Sequence, residues 1–527
     1  MKQKHVILIG LFLLSVWIHA QQEFHVFPSD HKSTPGVSSG NGTLQNPWDL
    51  QTAMIQTPKT VNGGDIVYIH EGVYDGRFIS TLQSTIANKL ITVTAFKNDK
   101  VILNGNVTSG RKSVLEVKGQ QVMFKNLEIT FLGEFSRKQG DANFQNVDGI
   151  NHSSGAGCKF INLLIHNNPG SGFGSWKRTA DAEINGCIIY NNGYYSAKRG
   201  SGVGIYVQNS SDKFRLIKNN IIFNNYYKGV EVWSDNRKAS DAYVKNVILD
   251  NNVIFNSALV TGIPKDNLII ATNDNNAVNI AKNIMVTKNI FYHNTNYIKN
   301  EIDGELPSFT LGFNKNAPVE NVSVTNNIIL GRNDGIRILH AKTLEFKNNI
   351  VYSGFIRFYP SFYDNFDSKT WKLSGNSYYT RKNKTIRIQS KEDFTVEEWQ
   401  KRYGMDTKSS WKPISQFNLN AVLDITKNEY DENKYRVVLF SKNEDDVTVD
   451  FSSYGLPKGI QYTIRDVEDY SEVLKTGILS KDKKISFPMK LNRGNKNKTL
   501  DNFGVFILEV SQPQKVGLLK SWLSWIF

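Results

Sequence analysis

Two cysteines in 527 residues are too few to staple a fold, so burial and hydrogen bonding must hold this chain together. Glycine and proline, 39 and 13 residues, are too sparse for a collagen-like or low-complexity chain. Long apolar runs are missing as well. The longest, from Val6 to Trp17, falls short of the ~20 residues that cross a bilayer. No nucleic-acid-binding motif is visible. What remains is an ordinary globular mixture, 40% hydrophobic and 21% charged, with enough chain for two cores. The formal charge of +14, or +12 without Lys2 and Lys4, favours anionic partners.

Lys2 and Lys4 ahead of the apolar run, with Ile18-His19-Ala20 after it, have the layout of a secretory leader cut after Ala20. The expected location is secreted or periplasmic, without stable membrane insertion. The Trp- and Leu-rich end, Leu518 to Phe527, is read as packing on the last domain.

One phrase recurs through the middle of the chain: Asn or Gly, then β-branched or aromatic residues, often closed by Asn-Asn. It is anchored at Asn126, Asn162, Gly186, Asn220, Asn252, Asn289, Asn327, Asn349 and Asn376. The intervals have a floor near 22 residues with variable excess, as stacked coils with loop insertions would give. A sandwich would show hairpins every ~8–12 residues, and a propeller four strands per ~40–45. Neither fits. An Asn in register can ladder its amide from coil to coil. The predicted fold is all-β, a parallel β-helix.

A second strand follows each phrase. Alternation sends Phe173, Ile205, Val230, Ile336 and Ile356 inward, followed by Val207, Val232, Ile338 and Phe358. The outward residues then form two columns. One holds Asn151, Gly174, Tyr206, Glu231, Gly312, Arg337 and Arg357; the other holds Trp176, Gln208, Trp233, Asn314 and Tyr359. The register of 268–274 stays open. Aromatic faces stack on sugar rings, and Arg and Gln fork onto carboxylates and hydroxyls. Loops add Lys177, Arg178, Lys198, Arg199, Arg237 and Lys238 beside this face.

The opening phrase VFPSDHKSTPGVSSGNGTLQNPWDLQTAM and the following GGDIVYIHEGVYDG, with Asp65, Gly72 and Tyr74, look like the entrance coil of a known family. The span 24–380 resembles the right-handed parallel β-helix superfamily of pectate, alginate and chondroitin-type lyases and several glycoside hydrolases. The resemblance implies a secreted carbohydrate-active enzyme and does not fix the reaction. No Asp cluster matches the calcium site of the pectate-lyase-like families, no other cofactor is evident, and calcium is left open.

Elimination at a uronic acid needs charge neutralisation and proton transfer. Arg199, Lys177 and Arg178 are candidates for the first, Tyr206 and His152 for the second. Trp176, Gln208, Trp233 and Arg337 are candidate sugar contacts. The leaving group, sugar or hydroxyl, stays open. Hydrolysis would pair Glu231 with a second carboxylate, Asp235 or Asp148. A non-catalytic glycan-binding protein is the third reading. The expected partner is an acidic polysaccharide or its oligosaccharides, met by a monomer. Cys158 and Cys187 are expected to stay unpaired. His152 has an inward reading as well, and His166 reads as structural.

Beyond Asn376 the ladder stops. Phe394, Trp399 and Tyr403 have helical spacing, with Thr395 as N-cap ahead of Glu398, as a cap for the open coil. Alternating segments from 432 to 511 read as a small antiparallel β-sandwich. The expected division is therefore a leader over 1–20, the β-helix over 21–380, a helical cap and linker over 381–431, the sandwich over 432–511 and a tail over 512–527. The lysines of 492–498 read as a solvated loop.

Overall fold

The computed structural model describes residues 21–302, 304, 307–491 and 499–511. The leader, the tail and the 492–498 loop lie outside the described residues. The main body is a right-handed parallel β-helix of three twelve-stranded sheets. Each coil visits all three in turn. The first sheet runs from Glu23–Val26 to Trp371–Ser374, the second from Gly72–Asp75 to Ser410–Pro413, and the third from Phe78–Ser80 to Ile386–Ile388. Neighbouring strands are parallel until Glu392–Phe394, which closes the third sheet antiparallel to Ile386–Ile388.

The third sheet is the second strand of the sequence repeat. Ile150, Phe173, Ile205, Val230, Leu268, Phe309, Ile336, Ile356 and Ile386 stack inward at 1% exposure or less. Each such side chain contributes on the order of 1.5–3 kcal/mol by leaving water. The first sheet was not foreseen from sequence. Its strands, such as Arg215–Lys218 and Lys245–Asp250, immediately precede the asparagine phrase.

The asparagines divide between two jobs. Asn126, Asn162, Asn219, Asn251, Asn326 and Asn348 take positive φ at the corner between the first and second sheets, and Gly186 and Gly375 take the same corner. Asparagine tolerates that conformation better than other residues with a Cβ. One residue later, Asn220, Asn252, Asn289, Asn327, Asn349 and Asn376 pass a side-chain amide hydrogen bond up the stack at 2.9–3.1 Å. The sequence reading put Asn126, Asn162 and Gly186 in register with Asn220. They align instead with Asn219, and Cys187 donates its backbone N–H to Asn220 Oδ1. The ladder ends because Asn376 turns to Asp406 and Ser409. A shorter ladder, Asn168, Asn192 and Asn225, serves the next corner.

The cap forms at the helix Val396–Tyr403. Thr395 and Glu398 make a reciprocal capping box, and Trp399 is fully buried against Phe358 and Phe362. Strands continue beyond residue 380, so this helix is an insertion in the last coil. The antiparallel unit begins earlier than 432: Val422–Lys427 is the edge of its five-stranded sheet, which faces the hairpin-like pair Val447–Asp450 and Lys484–Phe487. It covers the second sheet of the β-helix. Tyr292 stacks on Phe503 at 4.1 Å, and Val438, Phe440 and Val505 bury Phe223, Val253 and Phe255. The third sheet keeps an uncovered outer face, as does much of the first, where Met285 is exposed.

Candidate functional site

The outer face of the third sheet carries one continuous column. Strand pairing aligns Asn151, Gly174, Tyr206, Glu231, Ile269, Thr310, Arg337, Arg357 and Arg387. Eight spacings of ~4.8 Å make a floor nearly 40 Å long. Two corrections follow. Thr310 occupies the place expected for Gly312, which instead takes φ +71° in the turn beyond the strand. Asn314 also lies in that turn, bonded to Asn275, and Ala271 is the neighbour of Trp233. The open segment 268–274 resolves with Leu268 inward and Ile269 outward.

At the centre of the floor, Lys228 Nζ donates to Glu231 Oε1 at 2.7 Å, and both side chains are about nine-tenths buried. Burial alone would lower the Lys228 ammonium, yet Glu231 and then Asp266 hold it above its usual range. Asp266 accepts from Arg337 Nη2 at 2.7 Å and from the Thr310 hydroxyl. Burial pushes against its charge, and Arg337 and Lys228 outweigh it, so its carboxyl sits below the usual range. Tyr206 lies beside Glu231 on the neighbouring strand. Its phenol is raised above its ordinary value, first by burial and then by Glu231. Gln208 Nε2 reaches the Tyr206 hydroxyl at 3.4 Å and the Trp233 carbonyl at 3.3 Å.

Aromatic side chains flank this floor. Trp176 is exposed, donates to Asn151 Oδ1 at 2.5 Å, and has its ring 5.2 Å from that of Tyr206. Trp233 lies under the Lys228 ammonium at 5.8 Å and edge-on to Phe313. One wall is a hairpin, Tyr194–Tyr195 with Gly200–Ser201, fastened to the loop before it by Gln139 and Arg137 backbone bonds. Arg199 projects from this hairpin and stacks on Tyr227 at 3.9 Å. On the opposite wall Lys177 is paired with Asp241 at 3.1 Å and lies over Tyr243, and Arg178 is exposed.

His152 is not on this face. It is fully buried inside the coil against Phe160, and burial together with the nearby Arg215 drives its imidazole down to about 3. That removes it from proton transfer to a surface ligand. Asp148, pushed up to about 6 by burial, accepts from the Ser171 backbone N–H at 2.6 Å. It stands three coils before Lys228, so it does not meet Glu231. Asp235 lies in a turn and accepts from Asn273. His166 pairs with Glu128 and stacks on Tyr190 on the second sheet. Both cysteines are free and buried. Among the described residues, no group of three or more His, Cys, Asp or Glu side chains is arranged to hold a metal ion.

Lys228, Asp266 and Thr310, and Asp334, which meets Arg357 at 2.5 Å, were missed from sequence. Lys228 was legible as the third residue before Glu231. Asp266 was hidden by the unresolved register of 268–274.

Residues 74–254 match the family model described as a right handed beta helix region. No curated protein matches the chain. Among solved structures, pectate lyase Pel9A has 15% identity over 71% of this chain and 78% of its own, with a TM-score of 0.40. XylC in complex with xylose has 11% identity over 92% and 100%, with a TM-score of 0.44. A tailspike protein of Acinetobacter baumannii bacteriophage Fri1, a capsular polysaccharide depolymerase, has 12% identity over 85% and 80%, with a TM-score of 0.34.

Proposed function

We propose that this protein is an exported carbohydrate-active enzyme that takes a uronate-containing polysaccharide or oligosaccharide along the third sheet and acts by β-elimination. The observation that carries this reading is the pairing of Tyr206 with Glu231 on adjacent strands, in a floor that also holds Lys228 and Arg337.

Elimination breaks the bond from hydrogen to the carbon alpha to the carboxylate, and the bond from oxygen to the beta carbon. In this reading Glu231 takes the proton through Oε2, which has no protein hydrogen bond among the described residues, while Lys228 holds Oε1. Tyr206, kept protonated by burial, returns a proton to the leaving oxygen. Lys228 and Arg337 lie along the floor to stabilise the enolate charge, and Arg199 and Lys177 add cations from the walls. Trp176 and Trp233 supply faces for sugar rings.

Hydrolysis by two carboxylates fits less well. Glu231 and Asp266 both face Lys228, but Asp266 is 4% exposed and already accepts from Arg337 and Thr310. Both bonds fall on Oδ1, and the Arg337 and Lys228 charges that hold this carboxyl below its usual range keep it ionised and unable to act as the general acid.

The test is to incubate the mature protein with polyuronates, glycosaminoglycans and ulvan, as polymers and oligomers, following ultraviolet absorbance and reducing ends, with and without a chelator. Rising absorbance establishes a new conjugated double bond, and product mass separates chain cleavage from loss of water. Reducing ends without absorbance would transfer the chemistry to hydrolysis. Binding without either product would leave a glycan-binding protein.

A further inference from the structure

Beyond the centre of the floor, the column ends in three arginines. Arg337, Arg357 and Arg387 are directly paired on three successive parallel strands. Like charges set opposite one another in a sheet are unfavourable, and strand pairing at ~4.8 Å sets the backbones of these arginines directly opposite one another. A face serving only solubility would not align them.

Each arginine is relieved by one carboxylate. Arg337 meets Asp266 at 2.7 Å, Arg357 meets Asp334 at 2.5 Å, and Arg387 grips Asp393 with two bonds of 2.9 Å. Those carboxylates take part of each fork. Arg337 Nη1, Arg357 Nη2 and Arg387 Nη1 have no protein acceptor among the described residues. Gln389 fixes Arg357 from Nε at 2.9 Å, and the Phe355 ring supports Arg387 at 4.1 Å. Each guanidinium is thus held by its neighbours while one of its nitrogens keeps no protein acceptor among the described residues. Arg357 and Arg387 line a hollow of about 630 Å³ together with Asp334, Asp393, Asn333 and Lys391, and Arg337 stands outside it.

We infer that Arg357 and Arg387, at the far end of this row beyond Arg337, form a second anion-binding subsite, which takes acidic groups of a glycan chain several sugar units away from Tyr206 and Glu231. The inference rests on the proposed carbohydrate function but not on its chemistry. Arginine suits the role better than lysine, because its planar fork matches an oxyanion with two parallel hydrogen bonds. The ligand chemistry is an oxyanion borne on a sugar, carboxylate or sulfate. The row places the long axis of the bound chain across the strands, continuous with the aromatic-lined region at Trp176 and Trp233.

The test is affinity electrophoresis of the full chain in gels containing a non-sulfated polyuronate, dextran sulfate or unmodified dextran. Two variants are compared with the wild type. Arg387→Gln removes the most exposed of the three charges. Arg357→Lys keeps a charge beside Asp334 but loses the fork, and circular dichroism confirms that each is folded. The expected result is retardation of the wild type by one or both acidic polymers and not by dextran, weakened roughly five- to tenfold in each variant, equivalent to about 1–1.4 kcal/mol. Stronger retardation by the polyuronate assigns carboxylate as the ligand, and stronger retardation by dextran sulfate assigns sulfate. Variants retarded as strongly as the wild type, or a wild type retarded by no acidic polymer, would overturn the subsite. Retardation that depends on the arginines, without unsaturated product, would keep the subsite and remove the elimination reading instead.

Discussion

Lys228 and Glu231 form an ion pair at 2.7 Å, three residues apart, with both side chains about nine-tenths removed from solvent. Such a pair is costly to assemble and more costly to break, because either partner alone is left as an uncompensated buried charge. Its position in the floor of an otherwise solvent-facing groove makes stability and activity separable there.

Glu231→Gln is expected to destabilise the protein by about 3 kcal/mol, since Lys228 keeps its charge and loses its strongest partner. Adding Lys228→Met should recover much of that loss. Urea unfolding of the two variants measures this. A double variant no more stable than Glu231→Gln would mean that the pair is not the source of the cost. Neither variant should show turnover.

The Asn289 amide both donates and accepts within the ladder, taking bonds from Asn252 and giving one to Asn327. Asn289→Ala strands these buried partners, at a cost of about 1–3 kcal/mol for each group left unsatisfied. The expected result is a clear fall in thermal midpoint with the far-ultraviolet spectrum unchanged. The corresponding position in an earlier coil is Cys187, so Cys187→Ala should cost less. Equal losses would show that the ladder adds nothing beyond packing.

Acid should weaken the fold through His152. Its folded value is about 3, against 6.5 when unfolded. The unfolded chain therefore takes up a proton first as the pH falls. The stability that the neutral, buried ring confers is complete above pH 6.5 and is lost progressively between about 6.5 and 3. Asp148, raised to about 6, acts with the opposite sign, its contribution fading as the pH rises. Comparison with His152→Leu isolates the histidine. The urea midpoint of the wild type should drop more steeply from pH 7 to pH 4 than that of the variant. Parallel profiles would assign acid sensitivity elsewhere.

Much of the fold was legible because a β-helix repeats its reasons. The inward alternation of Ile205, Val230 and Ile336 needs only a period of two, and each coil repeats it. The corner between the sheets was harder to read, because two adjacent asparagines look alike in sequence. Only backbone φ separates Asn219 from Asn220. Tyr206, Glu231, Trp233 and Arg337 were placed on the outer face from alternation alone. The partners that set their charge were not. Asp266 and Asp334 lie before their strands, in loops whose length varies from coil to coil. His152 shows the limit in the other direction: alternation from the outward Asn151 turns it inward, and its candidacy for proton transfer ran against that pattern.

The most direct measurement is the initial rate of unsaturated product formation by wild type and Tyr206→Phe on the most responsive polyuronate, with affinity measured alongside. The change removes one hydroxyl and leaves the ring beside Trp176. The account predicts a fall of roughly 10²–10⁴-fold in kcat, with binding nearly unchanged. A variant that forms the unsaturated product at the wild-type rate would contradict it.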